Sequence, residues 1–273
     1  MNINLELYKL TQSELLKYVV KQLKKEGVEF DVIDNQIISL THPNKPVFVA
    51  HLDTVRDSDM SKPLIVTKTT ISREGGILGA DDRAGVNLIL NHCKDINFIL
   101  TRDEEIGCLG IKSLVKNHNI VDRLKDNNTP FLCELDRKGN SDIIGHIHGY
   151  CGEDLQGVLE QILEGYSDAV GVYTDIDQLT DYFPCVNLSV GYYNPHAVTE
   201  YLNIKDFNYI NSKIKELSAL EGVYKLGVQD SWFGDWEVCD ICGRAEDLAY
   251  VELLRESLCY DCRLELINEL CEI

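Results

Sequence analysis

The chain has 273 residues, of which 44% are hydrophobic and 26% charged, a composition typical of a soluble globular protein of one or two domains. Lys and Arg number 26 against 45 Asp and Glu, so the net charge is −19, which disfavours binding to nucleic acid or anionic membranes. The first residues resemble no secretory signal, and no apolar run approaches the roughly 20 residues of a membrane span. We therefore expect a cytoplasmic protein with neither nucleic acid nor a membrane as partner.

The predicted elements alternate between helices and strands along the chain. Thr11 and Glu14 form a capping box, and apolar residues recur at helical spacing from there to Gly27, which predicts a first helix. Short β-rich runs follow at 29–33, 36–40, 47–50 and 64–68. Helix-like segments at 83–93, 109–117, 155–163 and 200–220 then alternate with apolar strands at 98–101, 131–135, 143–146, 169–173 and 186–192. The pattern predicts an α/β layered fold with a mostly parallel, mixed central sheet, whose active site lies beyond the carboxyl ends of the strands.

Residues able to bind metal occur at several of these strand ends and at one loop-to-helix turn. They fall in five short motifs, namely His51 with Asp53, Asp81 with Asp82, Asp103 to Glu105, Glu134 with Asp136, and His196 with Glu200. Each motif alone has an ordinary explanation, such as a helix N-cap, a solvated acidic turn or a surface ion pair. Two histidines and three or more carboxylates in this order are the ligand set that zinc accepts at two adjacent positions.

The same residues carry a family resemblance. The segments HLDTV, LGADDRAG, DEEIG, ELD and NPHAVTEYL resemble, in that order, the metal-site motifs of the dinuclear zinc exopeptidase superfamily. That superfamily includes peptidase T, aminoacylase-like enzymes and the single-domain bacterial aminopeptidases. The resemblance covers residues 47–202 approximately and implies the three-layer α/β fold of these enzymes.

The resemblance also implies a role for each matched residue. His51 and Asp136 would hold one zinc, Glu105 and His196 the second, and Asp81 would bridge both. Asp53 would orient His51, Glu104 would be the general base, and a cis peptide would join Asp81 to Asp82.

The charges agree with two catalytic zinc ions, for which Co²⁺ or Mn²⁺ could substitute. Two divalent cations contribute +4 against −3 from Asp81, Glu105 and Asp136, a balance that favours two metals over one. Such a pair activates a water and polarises a carbonyl, and a carboxylate that is close but not ligated, here Glu104, can take the water's proton.

The spacing of the motifs bears on the branch of the superfamily. Peptidase T and the aminoacylases insert a lid and dimerisation domain where this chain has only the 59 residues between Asp136 and His196, too few for such a lid. We therefore expect an aminopeptidase acting on short peptides, although DEEIG and NPHAVTEYL look closer to the peptidase T branch. An N-acyl-amino-acid amidohydrolase, a carboxypeptidase and a non-catalytic binding protein that retains the metal site are the alternatives.

Other polar residues near the motifs receive simpler interpretations. Asp175 and Asp177 follow a predicted strand and are interpreted as helix N-caps in preference to substrate contacts. His146 and His148 alternate along a predicted strand and are assigned to packing or rim roles, because the ligand set is complete without them.

The C-terminal segment carries a separate metal signature. Cys239, Cys242, Cys259 and Cys262 form two Cys-x-x-Cys pairs with 16 residues between them, typical of one structural zinc in a zinc-ribbon-like module. Residues 237–273 contain 3 Arg, no Lys and 10 acidic residues, which argues against nucleic acid and for packing, entrance-shaping or self-association as a homo-oligomer. We predict residues 1–221 as a catalytic domain without a lid, 222–235 as a connection and 236–273 as this zinc module.

Overall fold

A computed structural model describes residues 3–227, 249–251 and 256–258 of the chain. The chain divides into two compact units, Met1–Val228 and Gln229–Ile273. The four paired cysteines Cys239, Cys242, Cys259 and Cys262 lie outside the described residues.

The first helix forms where its local signals predict. Helix α1 spans Gln12–Glu26 after Thr11, and the Glu14 carboxylate accepts hydrogen bonds from the Thr11 backbone and hydroxyl. Gly27 ends the helix at a φ of 72°, a left-handed conformation that glycine adopts without a Cβ clash. Leu15, Val19 and Leu23 bury one face of the helix.

The first unit contains six α-helices, three short 3₁₀ helices and twelve strands within its described residues. The helices are α1, α2 (Ala80–His92), α3 (Leu109–Asn117), α4 (Ile120–Asp126), α5 (Glu153–Ile162) and α6 (Ile204–Ser218). The strands are β1 (Asp31–Ile33), β2 (Gln36–Ser39), β3 (Val47–His51), β4 (Leu64–Val66), β5 (Thr70–Arg73), β6 (Asn97–Thr101), β7 (Leu132–Arg137), β8 (Asp142–Ile144), β9 (Ser167–Ala169), β10 (Cys185–Ser189), β11 (Tyr192–Tyr193) and β12 (Tyr201–Asn203).

Eight of these strands form the central sheet, in the order β1-β2-β6-β3-β7-β10-β8-β9. The middle four, β6, β3, β7 and β10, run parallel, whereas β1, β2 and β8 introduce antiparallel pairs. A second, antiparallel sheet has the order β11-β12-β5-β4. The predicted α/β fold with a mostly parallel, mixed sheet is confirmed.

Apolar side chains on both faces of the central sheet produce three layers. In β3, Phe48 and Ala50 pack into a core with α1, α2, α5 and α6, while Val47 and Val49 pack into a second core with α3 and α4. All five residues of β3 are buried, as expected for a strand covered on both faces.

The structure differs from several predicted bounds of helices and strands. The helix predicted over 200–220 begins only at Ile204, because Tyr201–Asn203 pairs with β5. The strand predicted over 143–146 ends at Ile144, which places His146 and His148 in a turn. Strand β9 stops at Ala169, and the strand predicted over 186–192 divides into β10 and β11.

The predicted connection after residue 221 begins within the first unit. Gly152 donates to the Lys225 carbonyl at 2.9 Å, and Cys151 forms a β-bridge with Leu226. In the second unit, strands β13 (Ala249–Val251) and β14 (Glu256–Leu258) pair antiparallel. Within the described residues, no helix is both long and apolar enough to cross a membrane.

Candidate metal centre

The carboxyl ends of three parallel strands bring most of the candidate ligands to one edge of the central sheet. Strand β3 lies between β6 and β7 and is parallel to both. His51 ends β3, Glu104 and Glu105 follow β6, and Asp136 lies near the end of β7. Residues far apart in the sequence thus meet where the parallel topology predicts.

Asp81 faces a histidine with each of its two carboxylate oxygens. Oδ1 lies 3.0 Å from His51 Nε2, and Oδ2 lies 3.2 Å from His196 Nε2. Asp81 is 8% exposed and belongs to the start of α2, where its backbone is not helical. The peptide bond between Asp81 and Asp82 is cis, as the resemblance implies.

Two groups of possible ligands share Asp81. In the first, which we call group one, His51, Asp81 and Asp136 each offer an atom within 4.8 Å of the others, and His51 Nε2 lies 3.6 Å from Asp136 Oδ2. In group two, Asp81, Glu105 and His196 meet the same limit, and His196 Nε2 lies 3.1 Å from Glu105 Oε2. The five residues predicted as ligands therefore come together in the predicted pairing.

Asp53 holds Glu104 and Glu105 in place through their backbone amides. Its Oδ1 accepts the Glu104 amide at 3.1 Å, its Oδ2 accepts the Glu105 amide at 3.0 Å, and His51 Nδ1 lies 3.3 Å from Oδ1. One buried carboxylate therefore fixes the imidazole and the turn that carries both glutamates.

Glu104 lies beside the ligands without belonging to either group. Its Oε2 is 4.0 Å from His51 Nε2, and its Oε1 accepts from the Cys108 thiol at 3.6 Å. Burial, followed by the charges of Asp175, Asp81 and Glu105, raises the pKa of Glu104 to about 8, although His51 opposes this.

Three residues with no assigned role in the sequence analysis also hold the centre. The Tyr192 hydroxyl donates to Asp136 Oδ1 at 3.0 Å, and Asn187 Oδ1 accepts the Asp136 amide at 3.0 Å. Asp82 accepts the His51 amide at 3.1 Å and the Gly85 amide at 2.9 Å, which ties the start of α2 to the end of β3.

Glu200 performs a similar function from the other side of Asp81. It is 1% exposed, and its carboxylate accepts the amides of Gly79, Ala80 and Asp81 at 2.8, 2.8 and 3.2 Å. No periodicity or spacing could reveal these contacts, because about 120 residues separate the partners. The only sequence signal was its place four residues after His196 in the fifth motif.

Asp175 is not the helix N-cap that the sequence analysis predicts. Thr174 is the N-cap of the short 3₁₀ helix Asp175–Leu179, and Asp177 completes its capping box. Asp175 instead points inward, is fully buried and hydrogen-bonds with the Thr101 hydroxyl. The apolar neighbour Ile176 is buried as well, so the first turn of this helix packs against the sheet.

His146 and His148 lie outside both ligand groups, in agreement with their assignment to packing or the rim. His146 Nε2 lies 3.6 Å from Glu153, and the His148 ring packs edge-on against Tyr150 at a centroid distance of 4.4 Å.

The electrostatics of the cluster fit divalent cations. Burial and the charge of Asp81 raise the pKa of Glu105, and burial with the charges of Asp81 and Asp82 raises that of Asp136. At Asp81, burial acts to raise the pKa, yet hydrogen bonds from His196 and His51 hold this pKa well below the usual range. Glu105 Oε1 is buried without a hydrogen-bond partner among the described residues. Hard oxygen and imidazole donors with an unsatisfied buried carboxylate oxygen match the donor chemistry of zinc or manganese.

Comparison with solved structures places this arrangement in a known fold. A tripeptidase from Staphylococcus aureus superimposes with a TM-score of 0.61 at 16% identity, over 78% of this chain and 95% of that one. The aminopeptidase PepT of Bacillus cereus gives 0.62 at 16% identity, over 80% and 99%. The TET1 peptidase of Pyrococcus horikoshii, which can assemble into a tetrahedron or a large octahedral shell, gives 0.59 at 15%, over 76% and 94%. No protein-family model and no curated protein matches the sequence. Likeness at this identity establishes the fold, and the chain has the fold of these peptidases.

Proposed function

We propose that the protein is a metal-dependent aminopeptidase that hydrolyses short peptides with two zinc ions. The observation that carries the proposal is the pair of ligand groups sharing Asp81, each with a histidine and two carboxylates. Zinc takes imidazole and carboxylate ligands, and a bridging carboxylate suits metals about 3.5–4 Å apart. The tripeptidase and aminopeptidase with this fold support the same assignment.

Each ligand has a place in the proposed centre. His51, Asp81 and Asp136 would hold one ion, and Asp81, Glu105 and His196 the other. When bound, the two ions would lower the pKa of a water and polarise the carbonyl of the scissile bond. Tyr192 leaves Asp136 Oδ2 directed to His51 by occupying Oδ1, and Asp53 fixes the imidazole from its Nδ1 side.

Glu104 is the proposed general base. It sits near both groups and, unlike its neighbour Glu105, makes no contact shorter than 4.0 Å with a histidine of the centre. An unligated carboxylate at this place can take a proton from the attacking water at Oε2 and pass it to the leaving amine. The bound cations would counter the neighbouring carboxylates that raise its pKa, so the residue would be ionised when the reaction starts.

The cleft beside the centre favours a cationic amino terminus over a carboxylate as the recognised group. It measures about 360 Å³ and is lined by Gln12, Asp53, Thr54, Val55, Asp57, Asp103, Glu105 and Ile106. Four of these residues are acidic and none is basic; the pairing of Asp57 with Arg83 and of Asp103 with Arg102 reduces this negative charge without reversing it. Negative potential attracts an ammonium group and repels the carboxylate that a carboxypeptidase must bind.

Paired substrates test the proposal. We expect hydrolysis of alanine p-nitroanilide and of the amide of dialanine, each with a free amine, and no hydrolysis of N-acetylalanine p-nitroanilide. Release of acetate from N-acetylalanine would instead identify a deacylase, and release of p-nitroaniline from the acetylated anilide would show that no free amine is required, which contradicts an aminopeptidase. A requirement for a free carboxyl group would identify a carboxypeptidase.

The proposal also includes a structural zinc site and self-association of the protein. We propose that the four cysteines of residues 236–273 hold one structural zinc in a domain separate from residues 1–221, since their spacing is typical of such sites. We also propose self-association, which the assembly of the TET1 peptidase supports by analogy of fold.

A further inference from the structure

Glu200 joins the two chain segments that meet across group two. The segment after β11 carries His196, whose side chain is 50% exposed, and Glu200 follows it just before β12. The other segment, Gly79 to Asp81, precedes the regular part of α2 and supplies the shared carboxylate. The link is made by a side chain that is itself 1% exposed.

The Glu200 carboxylate has donors that fit it closely. Oε2 accepts from Gly79 at 2.8 Å, and Oε1 accepts from Ala80 at 2.8 Å and from Asp81 at 3.2 Å. Three amides directed at one anion neutralise much of its charge in a buried place, and charge-assisted hydrogen bonds of this kind are strong and directional. The backbone of Asp81 is therefore held in position from the side of His196.

The ligands of the two groups differ in what else supports them. His51 ends a fully buried central strand, and Asp136 is fixed by Tyr192 and Asn187. His196 lies on an exposed loop outside the central sheet, with a φ of 64°. Group two consequently depends more on the link through Glu200 than group one does.

We infer that Glu200 is a positioning residue, which fixes Asp81 relative to His196 and thereby sets the affinity of group two for its metal ion. The inference rests on the proposed two-metal function and adds to it a residue that touches neither metal nor substrate. Loss of a residue that orients metal ligands typically lowers metal affinity by about 10–100-fold.

Replacement by glutamine isolates this role, because Glu200→Gln keeps the size of the side chain. Its single amide oxygen can still accept from Ala80 and Asp81, but its NH₂ group would face the Gly79 N–H, and the negative charge is lost. We assign the weaker-bound ion to group two, because its His196 is half-exposed on a loop, and expect this ion to lose about 10–100-fold in affinity while the tighter-bound ion changes much less.

Manganese titration of the full-length protein measures both affinities. Mn²⁺ prefers carboxylate and imidazole over thiolate ligands, so the cysteine pairs do not compete for it, and electron paramagnetic resonance counts the free ion. Glu221→Gln, which removes the same charge at an exposed position, is the matched control and should bind like the wild type.

The outcomes separate the inference from the function on which it rests. Binding of fewer than two Mn²⁺ ions by the wild-type protein would contradict both the proposed function and this inference. Two ions in the wild type, with either no loss or an equal loss at both in Glu200→Gln, would overturn the inference alone. If circular dichroism shows that Glu200→Gln does not fold, Glu200→Asp is the second variant, because it keeps the charge but places it one methylene short of its partners. An unchanged affinity for the weaker-bound ion in Glu200→Asp would equally overturn the inference.

Discussion

The adjacent residues Glu104 and Glu105 direct their side chains to different partners. Asp53 accepts the amides of both Glu104 and Glu105, yet the Glu105 side chain reaches His196 at 3.1 Å while that of Glu104 lies 4.0 Å from His51. In the proposed mechanism a ligand and a base must not compete for the same ion, and the different directions of these two side chains separate them. The division of roles can therefore be tested by one amide substitution at a time.

Glu104→Gln should abolish most hydrolysis without loss of metal. The amide has nearly the same shape but cannot accept a proton, and general-base catalysis typically contributes about 10²–10⁴-fold to the rate. We expect kcat on alanine p-nitroanilide to fall by about that factor while the number of bound metal ions, measured by atomic emission after dialysis, stays unchanged.

Glu105→Gln is the comparison at the neighbouring position. It should lose metal as well as activity, because it removes a charged ligand from group two. Equal metal loss in both variants would mean that Glu104 is itself a ligand, and full activity of Glu104→Gln would exclude it as the base.

The five motifs and their resemblance to a known family were enough to predict which side chains meet, but not what supports them. His51, Asp81, Glu105, Asp136 and His196 stood out because each carries metal-binding chemistry in a recognisable motif. Tyr192 contacts Asp136 from 56 residues away, and a tyrosine within an apolar strand looks like ordinary core. Supporting residues act through the tertiary structure, which a local pattern does not encode.

At the scale of elements, prediction succeeded where local signals agree with tertiary packing. The capping box at Thr11 defined the start of α1, and helix α3 occupies 109–117 as predicted. Strand β12 was missed because its conformation depends on pairing with β5, about 130 residues earlier. Its residues directly precede α6, and the local pattern assigned them to that helix. Pairing with a strand far away in the sequence overrides local propensity.

Two glycines in helices differ in the space around them, so replacement by alanine should lower the unfolding free energy at one and raise it at the other. An added Cβ at Gly110 in α3 would clash with the backbone carbonyl of Arg102 and lie 2.8 Å from its nitrogen, so helix and strand would have to separate. At Gly157 in α5, an added Cβ would meet no heavy atom of the described residues within 4 Å apart from the adjacent residues and backbone of its own helix. We expect Gly110→Ala to cost about 1–3 kcal/mol of unfolding free energy and Gly157→Ala to add about 0.5–1 kcal/mol.

Urea denaturation followed by circular dichroism measures both free energies. Because Gly110 closes the loop that begins at Arg102 and carries Glu104 and Glu105, Gly110→Ala should also lower kcat, whereas Gly157→Ala should leave it unchanged. A stability gain in Gly110→Ala would mean that α3 can move away from β6 at little cost.

For the whole molecule, the centre is a place where the acidic character of the chain is concentrated. The net charge is −19, and the edge of the sheet gathers Asp53, Asp81, Glu104, Glu105 and Asp136 within a buried region. Like charges so close destabilise the folded state unless cations or protons neutralise them. Metal binding and folding of the first unit should therefore be thermodynamically linked.

Removal of the metal should consequently lower the stability of the folded protein. A ligand that binds only the native state stabilises it by about 2.7 kcal/mol at a free concentration one hundred times Kd, so dialysis against EDTA should lower the midpoint of thermal unfolding by several degrees. Added Mn²⁺ should restore most of the loss in the wild type and in Glu104→Gln, but not in Asp81→Asn, which lacks the carboxylate shared by both groups. Since Mn²⁺ is a poor partner for thiolates, restoration by Mn²⁺ assigns the stability to the carboxylate–imidazole centre. Restoration by Zn²⁺ alone, with Asp81→Asn responding like the wild type, would assign it instead to the cysteine pairs and leave the first unit stable without metal.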